Sequence, residues 1–408
     1  MKRCSKNCGA TWGHFGKEQI EWFQMREFVR RRFGFGLAHK AQVTQEMNAM
    51  TSPVNKNTVF FGHGVLKLEF QPGEVVHHER DQIEDCEVPV SVDGEIPNSA
   101  RAFQRAGGGM PVTGLITGVD QVGNLLSGMA QVDFPIFRRV ATAVATCVSA
   151  SIPRKRRANL TTTWIGGSSI LDEEATFSHV QPWLSSASRL VIGSFLAHDA
   201  TLVQRLISGC PGETCLLLSR NQCEDRETTI TLARQCLCVL NATDLAVWTG
   251  VRGDAVSGIY WLREHEVTNV IVMDDKRGII AFLDGEWHHQ PAFRVDNVVS
   301  PGQSNDAAIG TYLAARDQKC TIRDALRFAA AASAMLSAGI VPRRIGLQDL
   351  IEFAATTSTR PYGLDGQSLV ERFERVAQLS EPFIQPAAFL ATGAAAVVFM
   401  MALVIGFV

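Results

Sequence analysis

Residues 300–310 read SPGQSNDAAIG. A Pro-Gly pair breaks regular structure, three polar residues follow, and Asp306 then leads directly into an apolar run with helical character. Two roles suit a carboxylate at such a junction. It can cap the free N–H groups of the helix's first turn, or it can act as a base toward a hydroxyl held beside the turn. Which role applies depends on what the rest of the chain builds around it.

Upstream, apolar β-rich runs alternate with helical patterns. NTVFFGHGVLKLEF (57–70), TGLITGVD (113–120), SRLVIGSF (188–195), ETCLLLSR (213–220), QCLCVLNA (235–242) and TNVIVMDD (268–275) each read as a short strand. AHDATLVQRLIS (197–208) and RETTITLARQ (226–235) read as helices. This alternation predicts an α/β fold with a mainly parallel sheet covered by helices on both faces, and it places ligands at the carboxyl ends of the strands.

Composition narrows the function classes. The 408 residues suffice for one large α/β domain or two smaller ones. Lys plus Arg is 39 and Asp plus Glu is 41, so the net charge is 39 − 41 = −2, which argues against a nucleic-acid partner and for a small molecule or a protein. Ten cysteines without a recognisable secretory signal predict reduced thiols, and no Cys or His spacing suggests zinc. The pairs His77/His78 and His288/His289 do not chelate readily, because neighbours on a strand point to opposite faces. Residues 1–55, with the basic run around Arg30–Arg32, are expected to form an appended, disordered extension to a domain over 56–345. A helical linker is expected over 346–385. Residues 386–408 carry no charged side chain and are long enough to span a bilayer, so they are a candidate transmembrane anchor for a cytoplasmic domain; a buried helix is the alternative.

Five segments, in order, carry a family resemblance. DGEIPNSARAFQRAGG resembles GG-x-x-x-N-x-A with Asn98 at the asparagine; TGVDQVGNLL has G-x-D-x-x-G through Gly118, Asp120 and Gly123; VLNATDLAVWTG resembles LN-x-x-E-x-x-x-LTG through Asn241 and Asp244. VIVMDDKRGIIAFLDGEW follows a strand, a nucleotide turn and a hairpin, and SPGQSNDAAIG matches the signature that ends in the catalytic aspartate. Over residues 59–340 the chain thus resembles the ribokinase-like (PfkB) carbohydrate kinases. The resemblance implies a three-layer α/β/α sandwich with a small β lid. It also implies an ATP- and Mg²⁺-dependent phosphotransferase acting on a hydroxyl of a sugar, sugar phosphate or nucleoside. Asp306 would be the base, and the backbone amides of Gln303, Ser304 and Asn305 the anion hole. Lys67, Asn98 and Asp120 would bind substrate, Asn241, Asp244, Asp275, Gly278 and Gly302 would bind nucleotide, and Asn241 with Asp244 would hold Mg²⁺ through water. Pro301, Ser304 and Asp306 lean toward the phosphofructokinase and tagatose-phosphate kinase branch, and a homodimer through the lid strands is a further implication.

Several positions depart from the family pattern. Gln303 and Asn305 replace cradle glycines, and Asn305 is expected to keep the left-handed backbone that glycine supplies. Met273 and Asp275 replace a Thr and a Gly, Lys67 replaces the sugar-binding aspartate, and Ala330 replaces a late asparagine. A catalytically impaired pseudokinase used as a binding or scaffold module is therefore the second functional class. Arg101 and Arg105 are expected to face solvent; the lesser alternative pairs them with Lys67 around an anionic substrate.

Overall fold

A computed structural model of the chain describes residues 57–69, 88–143, 145–154, 157–164, 171–193, 199–251, 255–274, 277–295, 298, 304–340 and 345–359. The expected extension over 1–55, most of the expected linker and the apolar segment 386–408 lie outside the described residues, as do Asp275, Gly302 and Gln303. Among the described residues, no helix is long and apolar enough to cross a membrane.

The first half runs β1 (Asn57–His63), β2 (Val65–Glu69), β3 (Val90–Asp93), α1 (Glu95–Arg105), β4 (Val112–Gly118), α2 (Gln121–Asp133), β5 (Ile136–Thr142), β6 (Cys147–Arg154) and β7 (Arg157–Trp164). Then come α3 (Glu173–Leu184), β8 (Ala187–Ile192), α4 (Ala200–Gly209), β9 (Glu213–Leu217), α5 (Arg226–Ala233), β10 (Leu237–Asn241), α6 (Ala242–Thr249) and α7 (Ala255–Glu264). Strands β11 (Val270–Asp274), β12 (Gly278–Leu283) and β13 (Glu286–Gln290) precede α8 (Ser304–Asp317), α9 (Ile322–Ser337) and α10 (Leu347–Thr356).

Two sheets result. The larger has the order β13-β12-β11-β10-β9-β8-β1-β4-β5, parallel from β5 through β11. Its strands read as unbroken apolar runs because helices cover both faces, and Val59, Phe60, Leu190, Leu216 and Val272 are fully buried. The last two strands pair antiparallel. Their Asp284-Gly285 turn has positive φ at both residues, the backbone a two-residue hairpin needs. The smaller sheet, β3-β2-β6-β7, is the expected lid.

The segment expected as one strand over 57–70 is two. Buried Gly64 divides it, and a Cβ there would lie 3.1 Å from Leu126 and 3.3 Å from Leu115. The chain leaves the central sheet in β1 and enters the lid in β2.

Helix α8 is buried on nearly every face, with α1 and α9 as neighbours, and small residues such as Ala307, Ala308, Gly310, Ala314 and Ala315 let them pack close. Gly310 sets its distance from α1: a Cβ at that position would stand 2.0 Å from the Ser99 carbonyl oxygen and 2.8 Å from the Phe103 nitrogen. The far end of α8 is fixed by charge. Buried Arg189 on β8 pairs with buried Asp317, and its Nη2 lies 2.7 Å from Glu213 Oε2. Burial alone would lower the arginine pKa; Asp317 and Glu213 outweigh it and hold the guanidinium charged.

Both anchors are testable by urea unfolding. Gly310→Val is expected to lower the unfolding free energy by roughly 2 kcal/mol or more, since neither Ser99 nor Phe103 can yield backbone without shifting α1. Asp317→Ala is expected to cost about 3 kcal/mol, because it leaves the buried guanidinium with only the exposed Glu213 to compensate it. Unchanged midpoints would refute the two assignments.

Candidate active site

The parallel strands present their carboxyl ends to one cleft, as expected of open α/β sheets. There β10 ends at Asn241, β11 ends at Asp274 and α8 begins at Ser304, while β3 of the lid delivers Asp93. A cavity of about 350 Å³ lies at this junction, lined by Asp93, Glu95, Asn241, Asp244, Asn305 and Asp306 among its polar residues. Val65, Leu217, Leu240 and Met273 supply apolar wall.

Asp306 sits in the first turn of α8 and faces α1. Asn98 Nδ2 donates to its Oδ2 at 3.0 Å, and the Ser99 hydroxyl donates to its backbone oxygen at 3.0 Å. The same Asn98 amide donates to Asp93 Oδ1 at 2.6 Å, while Asn98 Oδ1 accepts from Arg101 Nη1 at 3.1 Å. Arg101 is fixed in turn by Asp133 Oδ2 at 2.6 Å and the Val92 carbonyl at 2.8 Å. One amide thus joins two carboxylates. Burial pushes the Asp306 carboxyl well above the usual carboxylate range; Glu95 and Asp93 push the same way, and only the Asn98 hydrogen bond opposes them.

Asn241 and Asp244 form a second group on the opposite wall. Asn241 caps α6, accepting from the Asp244 backbone N–H at 2.7 Å, and its Nδ2 donates to Asp244 Oδ2 at 2.7 Å. Asp244 is 5% exposed. Its Oδ1 has no hydrogen-bond donor and lies 3.5 Å from the exposed Arg220 guanidinium. Burial raises its pKa, with Arg220 and Asn241 pulling back. No three His, Cys, Asp or Glu side chains among the described residues could ligate one metal ion. The donor set nevertheless fits Mg²⁺, which is commonly held by one carboxylate, waters and substrate phosphates.

A neighbouring cavity of about 270 Å³ shares Met273 and Asn305 with the first and continues past Asp274, Gly278, Phe293 and Ala330. Its mainly apolar walls suit a planar base at one end. Gly278 adopts φ +98°, and a Cβ there would meet the Gln290 carbonyl at 2.1 Å, so the turn admits only glycine. Asn305 departs from expectation. It lies within right-handed α8 and has no positive φ, because the helix already encloses this part of the cradle.

Lys67 and Asp120 are not brought to this cleft. Lys67 lines a separate cavity of about 480 Å³ with Asn98, Arg101, Arg105 and Asp133; its Nζ lies 3.8 Å from Glu69 Oε2 and 4.0 Å from Asp93 Oδ2. The two arginines line that cavity half-buried rather than facing solvent, because Asp133 on α2 and the lid close over α1. Asp120 caps α2, accepting from the Gly123 N–H at 2.6 Å and from the Thr146 N–H and hydroxyl at 2.8 Å each. Burial raises its pKa, but these donors and Arg139 outweigh it and leave the carboxyl below its usual range. Sequence reasoning missed Asp93 and Glu95. The signal lay in DGEIPN, where Asp93 occupies the first glycine position of the GG-x-x-x-N-x-A pattern.

Comparison with known proteins agrees with the fold. A ribokinase from Thermotoga maritima is 17% identical, with 73% of this chain and 98% of that chain aligned at a TM-score of 0.58. An Arabidopsis thaliana ribokinase complexed with ribose and ATP is 14% identical, with 73% and 98% aligned at 0.56. A microbiome-derived acarbose kinase is 13% identical, with 74% and 99% aligned at 0.59. No curated protein matches the sequence significantly. These likenesses establish the ribokinase-like fold. The model of the pfkB family of carbohydrate kinases matches residues 94–339, more than half of the chain, and the chain therefore belongs to that family.

Proposed function

We propose that the chain transfers the γ-phosphoryl group of ATP to a hydroxyl of a small sugar-type acceptor, with Asp306 as general base. The observation that carries this reading is the position of Asp306: a carboxylate at the start of a helix, hydrogen-bonded by Asn98 and lining a cavity that adjoins a second one at Met273 and Asn305.

In this mechanism Asn98 fixes the Asp306 carboxylate so that a free oxygen lies toward the acceptor hydroxyl and takes its proton as the phosphoryl group arrives. The backbone N–H groups of Ser304, Asn305 and Asp306 lie in the first turn of α8, where an anion is favoured, and suit an anion hole. Asp244, positioned by Asn241, would hold Mg²⁺ through water, and that ion would screen the polyphosphate charge. By the family resemblance, Asp275 and Gly302 would add nucleotide contacts and Gln303 a further anion-hole amide. Carboxylates beside a polyphosphate and the upward shift of Asp306 favour a second reading, in which the fold binds ligands but transfers phosphate slowly or not at all.

Coupled measurement of ADP release separates the two. Asp306→Asn is expected to lower kcat about 10²- to 10⁴-fold with little change in the KM for ATP, as for loss of a general base; equal turnover by variant and parent would rule out the base assignment. The parent's activity is expected to rise through an acid limb displaced upward from about pH 4, since the base works deprotonated.

The stability effect has the opposite sign. The folded state holds the Asp306 proton more tightly than the unfolded chain, so stability falls as pH rises from about 4 toward the raised folded value. Asp306→Asn is expected to unfold at a higher temperature than the parent at neutral and alkaline pH, with the difference vanishing below about pH 4. A variant less stable at every pH would contradict the shift.

A further inference from the structure

The cavity of about 480 Å³ beside α1 has no part in the phosphoryl transfer above. Among the described residues it shares none of its lining with the Asp306 cleft. Asn98 is the partition, lining the one cavity and bonding to Asp93 and Asp306 of the other. The floor is apolar: Ala307, Ala332, Leu336, Ile345 and Leu350 line it from α8, α9 and the start of α10, and all five are buried. Val132 of α2, 87% exposed, marks the mouth. Charge comes from the lid, α1 and α2. Lys67, Arg101 and Arg105 line the cavity against Glu69 and Asp133, so among the described residues the lining carries one positive charge in excess. Arg101 is engaged by Asp133, the Val92 carbonyl and Asn98. Lys67 is held more loosely. Its side chain is only 17% exposed, yet the carboxylate oxygens paired with it, Glu69 Oε2 and Asp93 Oδ2, stand at 3.8 and 4.0 Å, beyond hydrogen-bond length. Asp93 is meanwhile turned to the other cleft, where its Oδ1 accepts from Asn98 and from the Gly94 N–H. The three ammonium donors of Lys67 thus have little solvent and no described acceptor within hydrogen-bond reach.

We propose that this cavity is a second ligand site, which takes a monocarboxylate with an apolar body. The carboxylate accepts hydrogen bonds from the Lys67 ammonium, and the body lies along Leu336, Ile345 and Leu350. The volume is that of a site for a small organic molecule. A carboxylate completes the lysine with charge-assisted hydrogen bonds, about twice as strong as neutral ones. Its single charge matches the excess on the lining, whereas the dianion of a phosphate monoester would overshoot it beside Glu69 and Asp133. An ammonium ligand would meet Lys67 as like charge. The apolar body displaces water from walls that cannot hydrogen-bond to it, which is the larger part of the affinity. Because Asn98 stands between this cavity and Asp306, the ligand is a companion of the reaction and not the acceptor. The site exists whether or not the chain transfers phosphate.

The test is titration calorimetry on the full chain near neutral pH with four probes: octanoate, acetate for the head alone, 1-octanol for the tail alone, and octylamine for the reversed charge. Octanoate is expected to saturate a single site. Acetate is expected to bind at least about a hundredfold more weakly, for want of apolar burial, and 1-octanol and octylamine at least about tenfold more weakly, for want of the charged hydrogen bond. Lys67→Gln is expected to weaken octanoate about tenfold, with an unchanged circular dichroism spectrum showing that the variant folds. Val132→Glu, at an exposed position on the mouth, sets a like charge in the ligand's path and is expected to weaken octanoate about threefold or more. Octanoate that does not saturate overturns the proposal, as does 1-octanol or octylamine binding as tightly. Unchanged octanoate affinity in a folded Lys67→Gln variant does the same; should that variant lose its native spectrum, unchanged affinity in Val132→Glu decides against the site. Phosphoryl transfer enters none of these readouts, so failure here leaves the Asp306 assignment standing, and loss of that assignment leaves the site.

Discussion

The close approach of two helices at a glycine is the constraint on which the site depends. Gly310 lets α8 come within backbone contact of α1, and that contact brings Ser99 and Asn98 to the Asp306 turn. A larger residue would separate the helices and with them the two carboxylates that Asn98 joins. Arg189 and Asp317 fix the other end of α8 against the sheet, so the helix is held at both ends by polar contacts and along its length by small apolar residues. Rigid placement of the reacting group is what such a scaffold contributes to phosphoryl transfer, because little covalent chemistry falls to the protein.

Electrostatics at the cleft opposes folding and suits function. Desolvation, with Glu95 and Asp93 nearby, holds the Asp306 proton, and Asp244 is likewise shifted upward by burial. Ionisable groups shifted this way by their surroundings cluster at functional sites. The thiols show the contrast. Cys215 and Cys236 are raised to about 12 by burial, and they behave as small apolar core residues.

Much of the architecture was legible in the sequence because its cause is local. Apolar strand segments such as LVI (190–192) and VIVM (270–273), alternating with amphipathic helices, imply a parallel sheet covered on both faces, and the Asp-Gly pair at 284–285 marks the final hairpin. The positions of Asp306 and Asn98 followed from their motifs. What local pattern could not supply was contact between distant residues. The link from Arg101 to Asp133 spans 32 positions and the one from Asn98 to Asp306 spans 208, and no periodicity encodes either. The acidic character of the cavity was hidden for the same reason: Asp93 and Glu95 look like ordinary turn and helix-start residues until Asp244 and Asp306 are seen to share their space. The break at Gly64 was hidden too, since both halves of 57–70 are strand-like and only the packing of Leu115 and Leu126 shows why the chain must turn there.

That break has a mechanical consequence. One residue separates β1, an interior strand of the large sheet, from a strand of the lid, and β2 is hydrogen-bonded to β3, whose last residue is Asp93. Gly64 is therefore the short lever arm between the rigid body of the molecule and its cover. Any displacement of the cover about that point would carry Asp93 with it, against its hydrogen bond to Asn98, and would change the field felt by Asp306, the proposed base.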